Sequence, residues 1–289
     1  MNDKQKGILF SILTSLSLGI TIVIVKLAVN LINPETMNVL WFMFSSVLFV
    51  LLFVFFKKTK YFKTIIKNWR KIALISLFVT AGSILFTYGI SYAGPTNAAF
   101  IIQFTMVFSI LFGIIFLKEK ITKLEGLGFL ITIIGAFILT YGNIEMSTFS
   151  ILILLGGSLC FALSNLFSKV YVENIDPITL AGGRSMLIFL FLLVYSLSIG
   201  RLQLDVPLIA FGYIFLGSIG GAFLGFILFY KALEVFEMSK SMAIRSIEPF
   251  LTAIYAFIIL SLIPTLNQLL GGGLIVIGII ILSLTKGSD

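Results

Sequence analysis

Ten apolar runs follow one another along this chain, near residues 7–29, 37–56, 72–93, 95–117, 124–142, 149–172, 178–199, 207–233, 240–262 and 267–285. A bilayer core about 30 Å thick takes about 20 apolar residues of helix. Unpaired backbone amides are not tolerated in hydrocarbon, so runs of this length fold there as helices. Composition agrees, with 59% hydrophobic and 11% charged residues where soluble domains carry roughly 25% charged. So few charges cannot cover a surface in water. The expected fold is an all-α membrane protein with ten transmembrane helices. Its shortest connection is Gly94-Pro95, a tight hairpin because proline cannot continue the helix before it. The segment ahead of the first run carries no small-residue cleavage site, and Lys26 stands where one would fall. The first run therefore reads as a permanent span.

An even number of spans puts both termini on one side. If that side is cytoplasmic, it holds sixteen of the twenty Lys and Arg, with Lys26 and Arg201 outside and Arg184 and Arg245 within spans. Such a bias sets orientation under the positive-inside rule. The expected localisation is the cytoplasmic membrane, multi-pass, with both termini cytoplasmic. The same placement explains the net charge of +8 without a nucleic-acid partner, because the basic residues sit in short loops between apolar runs. Lys57–Lys71, beside Trp69, reads as a loop anchored on anionic membrane lipid.

Sliding the chain by 143 residues superposes its halves, 1–145 and 146–289. Lys26 falls on Lys169, Ile32 on Ile175, Pro34 on Pro177, Thr36 on Thr179 and Met43 on Met186. Gly128 meets Gly271 and Gly135 meets Gly278 at the same shift, while Tyr88 meets Tyr230 at 142. Five spans per half is an odd number, so the halves must lie upside down relative to each other. Inverted repeats recur in alternating-access proteins, with the solute site near the midplane where the repeats meet.

Several motifs in this order resemble the EamA-type family of the drug/metabolite transporter superfamily, over about residues 7–285. They are the span-end Lys26 and Lys169, Phe116-Leu117-Lys118-Glu119, Ile247-Glu248-Pro249-Phe250 and Gly271-Gly272-Gly273-Leu274-Ile275. The resemblance implies a basket around a central cavity, lined chiefly by spans 1, 3, 4, 6, 8 and 9, with spans 5 and 10 packed away from it. Two positions depart from the pattern. Met106-Val107 replace the proline that would match Pro249, and Ser261-Leu262 stand where a glutamate would match Glu119. In function the resemblance implies a secondary transporter or facilitator that exports an amino-acid-like metabolite. The alternatives are an organophosphate or other anionic-metabolite carrier, with Lys231 and Arg245 holding the phosphate, and a non-transporting scaffold subunit.

Enzyme chemistry finds little to work with. The chain has no histidine and one cysteine, Cys160, which removes histidine triads, histidine metal sites and histidine proton relays. No metal or cofactor is expected, and the partner is a small-molecule solute. Gly217, Gly221 and Gly225 recur every four residues as a packing face of span 8, where Gly221 is also a candidate hinge. Gly271–Gly273 form a second such face, directed at the other repeat or at a second copy in a homodimer.

Polar residues at membrane depth carry the functional signal, because charge is unfavourable there. Arg245 and Glu248, three apart, share a face of span 9, and Pro249 should kink the helix beside them. They are the expected polar centre, with Arg245 taking a carboxylate and Glu248 an amine. Glu248 is the one carboxylate well inside a span, and its pairing with Arg245 favours a facilitator over a proton antiporter. Further cavity-lining candidates are Tyr88 and Tyr92 in span 3, Asn97 and Gln103 in span 4, Ser164 and Asn165 in span 6, and Tyr230 and Lys231 in span 8. Arg184 is expected to pair with Asp176 or Glu173 near the surface, and Lys26 and Lys169 to anchor their span ends.

Overall fold

A computed structural model describes residues 1–29, 31–56, 60–93, 101–140, 147–261 and 263–284. The helices in order are α1 (Asp3–Val29), α2 (Pro34–Phe55), α3 (Lys60–Lys67), α4 (Trp69–Ala93), α5 (Phe104–Phe116) and α6 (Lys123–Thr140). The second half holds α7 (Thr148–Val172), α8 (Pro177–Ser198), α9 (Leu208–Val235), α10 (Met238–Arg245), α11 (Glu248–Leu260) and α12 (Leu266–Leu284). Each apolar run lies on helix, the ninth on α10 and α11 together. Among the described residues seven helical spans are long and apolar enough to cross a membrane, with α10 and α11 together counted as one, and Phe104–Phe116 and Leu269–Leu282 are shorter apolar helices. Side chains such as Phe55, Ile115, Leu152 and Ile258 are 62–78% exposed. An apolar surface on this scale belongs in lipid.

The segment read as a basic loop contains α3. Tyr61 is buried 5.0 Å from the Phe53 ring and Phe62 lies 5.3 Å from it, while Lys60, Lys63 and Lys67 are exposed. One apolar side and one basic side make this a surface amphipathic helix.

The repeat is visible in local structure. Asn33 Oδ1 accepts from Thr36 N at 2.8 Å, and Asp176 Oδ1 accepts from Ile178 N and Thr179 N, both at 3.0 Å. An N-cap followed by proline at the first helical position starts α2 and α8 alike. Spans 4 and 9 also finish alike, with Lys118 and Ser261 both left-handed at φ 54° and 55°.

Packing follows the same exchange. α1 packs on α9, and its mate α7 packs on α4, the mate of α9; α2 meets α8, α5 meets α10, and α6 meets α12. At that last crossing a Cβ on Gly128 would lie 3.2 Å from the Gly278 carbonyl, and one on Gly135 2.7 Å from the Gly271 carbonyl. Those two contacts exchange under the 143-residue shift, and the helices run antiparallel through them. The chain is thus two inverted five-helix repeats. Gly271 faces the other repeat, Gly272 lies against Phe250, and a Cβ on Gly273 would meet nothing within 4 Å beyond its own helix among the described residues.

Candidate functional site

Span 9 is interrupted at Ser246-Ile247. Pro249 has no N–H to give the Arg245 carbonyl, so the helix cannot run through. Ile247 N instead donates to Ile244 O at 3.3 Å, a tightened turn, before Leu251 N resumes the helical pattern onto Ile247 O at 3.0 Å. Span 4 breaks at the repeat mate of Ser246. Gln103 is a turn residue there, and Met106 N donates to Gln103 O at 3.0 Å. No proline causes that break.

The basic end of the bundle fixes α9 and α10 below the break. Glu119 accepts from Met238 N at 2.7 Å and Ser239 N at 3.0 Å, placing a carboxylate on a helix N-terminus. Lys169 Nζ donates to Leu233 O at 2.6 Å and Phe236 O at 3.1 Å, satisfying carbonyls where α9 ends. Lys240 bridges Glu125 at 2.8 Å and Glu237 at 3.0 Å. An open cleft of about 330 Å³ lies beside them, lined by Lys4, Lys169, Glu234, Glu237 and Lys240 among others.

Deeper in, several helices converge. Arg245 Nη2 stands 3.4 Å from Glu248 Oε2, and its guanidinium lies 4.3 Å from the Phe229 ring centre. Arg245 Nη1 donates to Met242 Sδ at 3.6 Å, and Asn165 Nδ2 lies 3.7 Å from the same sulfur and 3.2 Å from Ser109 Oγ. Tyr230 OH accepts from Ser168 Oγ at 3.2 Å. Arg184 lies 3.7 Å over Phe226 and 5.8 Å from the Tyr230 ring. Ring centres run from Phe226 to Tyr230 to Phe229 at 6.4 and 5.7 Å, so an aromatic ladder on α9 carries one arginine at each end. Cation–π contact stabilises each guanidinium. The Nε atoms of Arg184 and Arg245 are nevertheless buried without a hydrogen-bond partner.

Arg245, Glu248, Asn165 and Tyr230 thus come together, with Pro249 at the break and Gln103 half-buried at its mate. The other sequence candidates lie elsewhere. Tyr88 is at the opposite end, its OH accepting from Tyr195 OH at 3.0 Å beside a cavity of about 10 Å³ lined by Glu35, Asn38 and Thr87. Tyr92 is 60% exposed and meets Phe149 edge-on. Lys231 reaches Phe10 on α1 at 5.8 Å, and no contact joins it to Arg245 among the described residues. Asn97 and the Lys26 side chain lie outside the described residues. Gly221 falls in a π-helical turn of α9, Ile219–Gly225, where a Cβ would strike the Trp41 ring and Thr21. Such wide turns are frequent at functional sites.

Arg184 corrects the expected pairing with Asp176 or Glu173. Asp176 is occupied in capping α8, and Arg184 points inward to α9. Its signal in the sequence was that Trp41, its repeat mate, is apolar, so the charge is not required by the repeated architecture.

Residues 5–141 and 148–284 each match the EamA-like transporter family. An uncharacterized transporter of Archaeoglobus fulgidus is 26% identical over 271 residues, covering 91% of this chain and 93% of its own. The uncharacterized transporter YyaM of Bacillus subtilis is 25% identical over 282 residues, covering 94% and 90%. One solved crystal structure shares the fold at a TM-score of 0.83 and 12% identity, covering 96% and 97%. The chain belongs to the EamA-like transporter family and is a multi-pass membrane transporter.

Proposed function

We propose that the chain is a facilitator that exports a small, amino-acid-like solute across the cytoplasmic membrane by alternating access, with Arg245 and Glu248 as the polar centre. One observation carries the reading: this pair straddles the helix break of span 9 above Phe229. At about 1.5 Å per residue, Glu248 lies about 12 Å in from Lys240, at hydrocarbon depth. A broken helix there frees the Arg245 carbonyl, and such breaks form solute sites in transporters. Arg245 would take the solute carboxylate and Glu248 its ammonium, each in place of part of their own bridge. Asn165 and Gln103 add neutral hydrogen-bonding groups. Residues 1–145 and 146–289 would move as the two halves, with Pro249 and the Gly221 turn as hinges. The cytoplasmic end would be the one held by Glu119, Lys169 and Lys240, and α3 would lie on anionic lipid.

The charge swap Arg245→Glu with Glu248→Arg separates a site from a purely structural pair. Both readings keep the protein folded. Flux into proteoliposomes should fall at least tenfold in the swap; a folded swap variant with full flux overturns the site assignment.

A further inference from the structure

We propose that the site takes a solute with two carboxylates and one ammonium, an acidic amino acid, and that Arg184 holds the second carboxylate. This rests on the reading of the cluster around Arg245 as the transport site. Arg184 is 5% exposed and about 10 Å along α8 from its start. No carboxylate lies within 4 Å of it among the described residues. A cation at that depth calls for a counter-ion. Arg245 cannot relieve it, because Arg245 carries the same charge and already shares Glu248. The cluster therefore presents two positive groups and one negative.

Hydrogen bonding points the same way. Among the described residues, the buried unpartnered side-chain atoms are four hydroxyls, of Thr80, Thr105, Ser196 and Ser239, and two nitrogens, the Nε of Arg184 and of Arg245. Buried donors are rarely left unpaired. A guanidinium that stacks on a ring and keeps a buried, unpaired Nε donor has part of a planar fork to give to a carboxylate. Both arginines stand so, one at each end of the α9 ring ladder. A zwitterion such as alanine would leave one fork empty and a net positive charge. A simple monocarboxylate would also balance the charge, since Glu248 keeps Arg245 at 3.4 Å, but it would leave one of the two Nε donors without a partner. Two carboxylates and an ammonium complement all three charged groups.

The test uses the full chain in proteoliposomes with L-glutamate, L-alanine and L-lactate as probes, alongside thermal stabilisation of the purified protein by each. Glutamate should exchange at least tenfold faster than alanine or lactate and should raise the melting midpoint most. Arg184→Gln should lower glutamate exchange at least ~30-fold, as expected when a buried charge partner is removed, and should lower it far more than it lowers alanine exchange. Stabilisation of the unaltered protein needs no variant, so a misfolded Arg184→Gln does not rescue the idea. Alanine or lactate moving as fast as glutamate, or stabilising as well, overturns the assignment while leaving transport by this site intact. No exchange and no stabilisation by any probe overturns both.

Discussion

Lys240→Met removes one half of an ion pair shut away where α6 meets α10. Lys240 Nζ stands 2.8 Å from Glu125 Oε1, with side-chain exposures of 4% and 0%. Glu125 also closes the start of α6 as a capping box, accepting from Thr122 N at 2.8 Å and donating back from its own N to Thr122 Oγ1 at 3.2 Å. Losing Lys240 strands that carboxylate, and breaking a buried pair costs about 3–5 kcal/mol. The capping donors that remain favour the lower figure. The second bridge, to the 35% exposed Glu237, adds at most about 1 kcal/mol. Glu125→Gln behaves differently, because an amide oxygen still serves Thr122 and Lys240 keeps Glu237. Its loss should be about 1–2 kcal/mol. At about 2–4 °C per kcal/mol, Lys240→Met should melt about 6–12 °C below the unaltered protein, and Glu125→Gln about 2–8 °C below it. The double variant should melt no lower than Lys240→Met, because the stranded charge is gone. Tryptophan fluorescence of the detergent-solubilised protein reads all three. The reasoning is refuted if Glu125→Gln is the more damaging single change, or if the double variant loses the sum of the two.

Four other outcomes follow from the fold. With Cys160 replaced, single cysteines at Lys63 and at Ser288 should label only with membrane-permeant reagents; ready labelling by an impermeant one from outside reverses the orientation. Solute flux should ignore an imposed pH gradient, whereas gradient-driven accumulation that vanishes in Glu248→Gln would make the protein a proton-coupled carrier. Gly135→Ala puts a methyl 2.7 Å from the Gly271 carbonyl and 2.9 Å from Ile275 N, backbone on both counts, and should destabilise by about 1–3 kcal/mol. Gly126→Ala, whose nearest neighbour is 3.9 Å away, should gain from helix propensity, so equal melting of the two would defeat the packing argument. Finally, a cysteine at Ser239, 1% exposed, should stay unreactive from the aqueous phase and become reactive when Lys240→Asn and Glu125→Gln copy their repeat mates. Unchanged protection would show that the pair does not hold that end shut.

Hydropathy located most spans to within a few residues because the bilayer imposes a length on each, while the start expected for the fourth, at residue 95, lies outside the described residues. It missed α3 because three lysines in eight residues, Lys60–Lys67, hide an apolar side of one or two turns. The Arg245–Glu248 ion pair was legible from spacing alone, since both residues lie on one span three residues apart. Arg184 was not. The acids nearest in sequence, Glu173 and Asp176, suggested a local pair, but helix capping had already engaged Asp176. The rings that receive Arg184 belong to another helix. Tyr88 and Tyr230 were both named as cavity-lining candidates for their side-chain chemistry, and they are also repeat mates. An inverted repeat sends mates to opposite sides of the midplane, so only residues near its axis can share one site with their mates. Tyr88 accordingly meets Tyr195 toward one end, while Tyr230 meets Ser168 in the cluster.

The same inversion makes departures from symmetry more informative than the symmetry. If the halves were identical, the state closed at one end and the state closed at the other would have equal free energy. At the 143-residue shift Glu119 falls on Leu262, Glu125 on Gln268 and Lys240 on Asn97. The charged groups that cap and bridge α10 at the basic end therefore have neutral counterparts in the other half. Each charge-assisted hydrogen bond is worth about 1.5–3 kcal/mol, and about 1.4 kcal/mol shifts a two-state equilibrium tenfold. At the opposite end the described residues carry the weaker Arg201–Glu35 pair, 3.4 Å apart with Arg201 61% exposed, and we infer that the difference biases the protein toward a state closed at the basic end. On the alternating-access reading proposed above, a solute that completes the arginine cluster would have to offset this bias before the basic end opens. That would link the unpartnered Nε donors of Arg184 and Arg245 to the Lys240 ion pairs, about 12 Å along span 9 from Glu248.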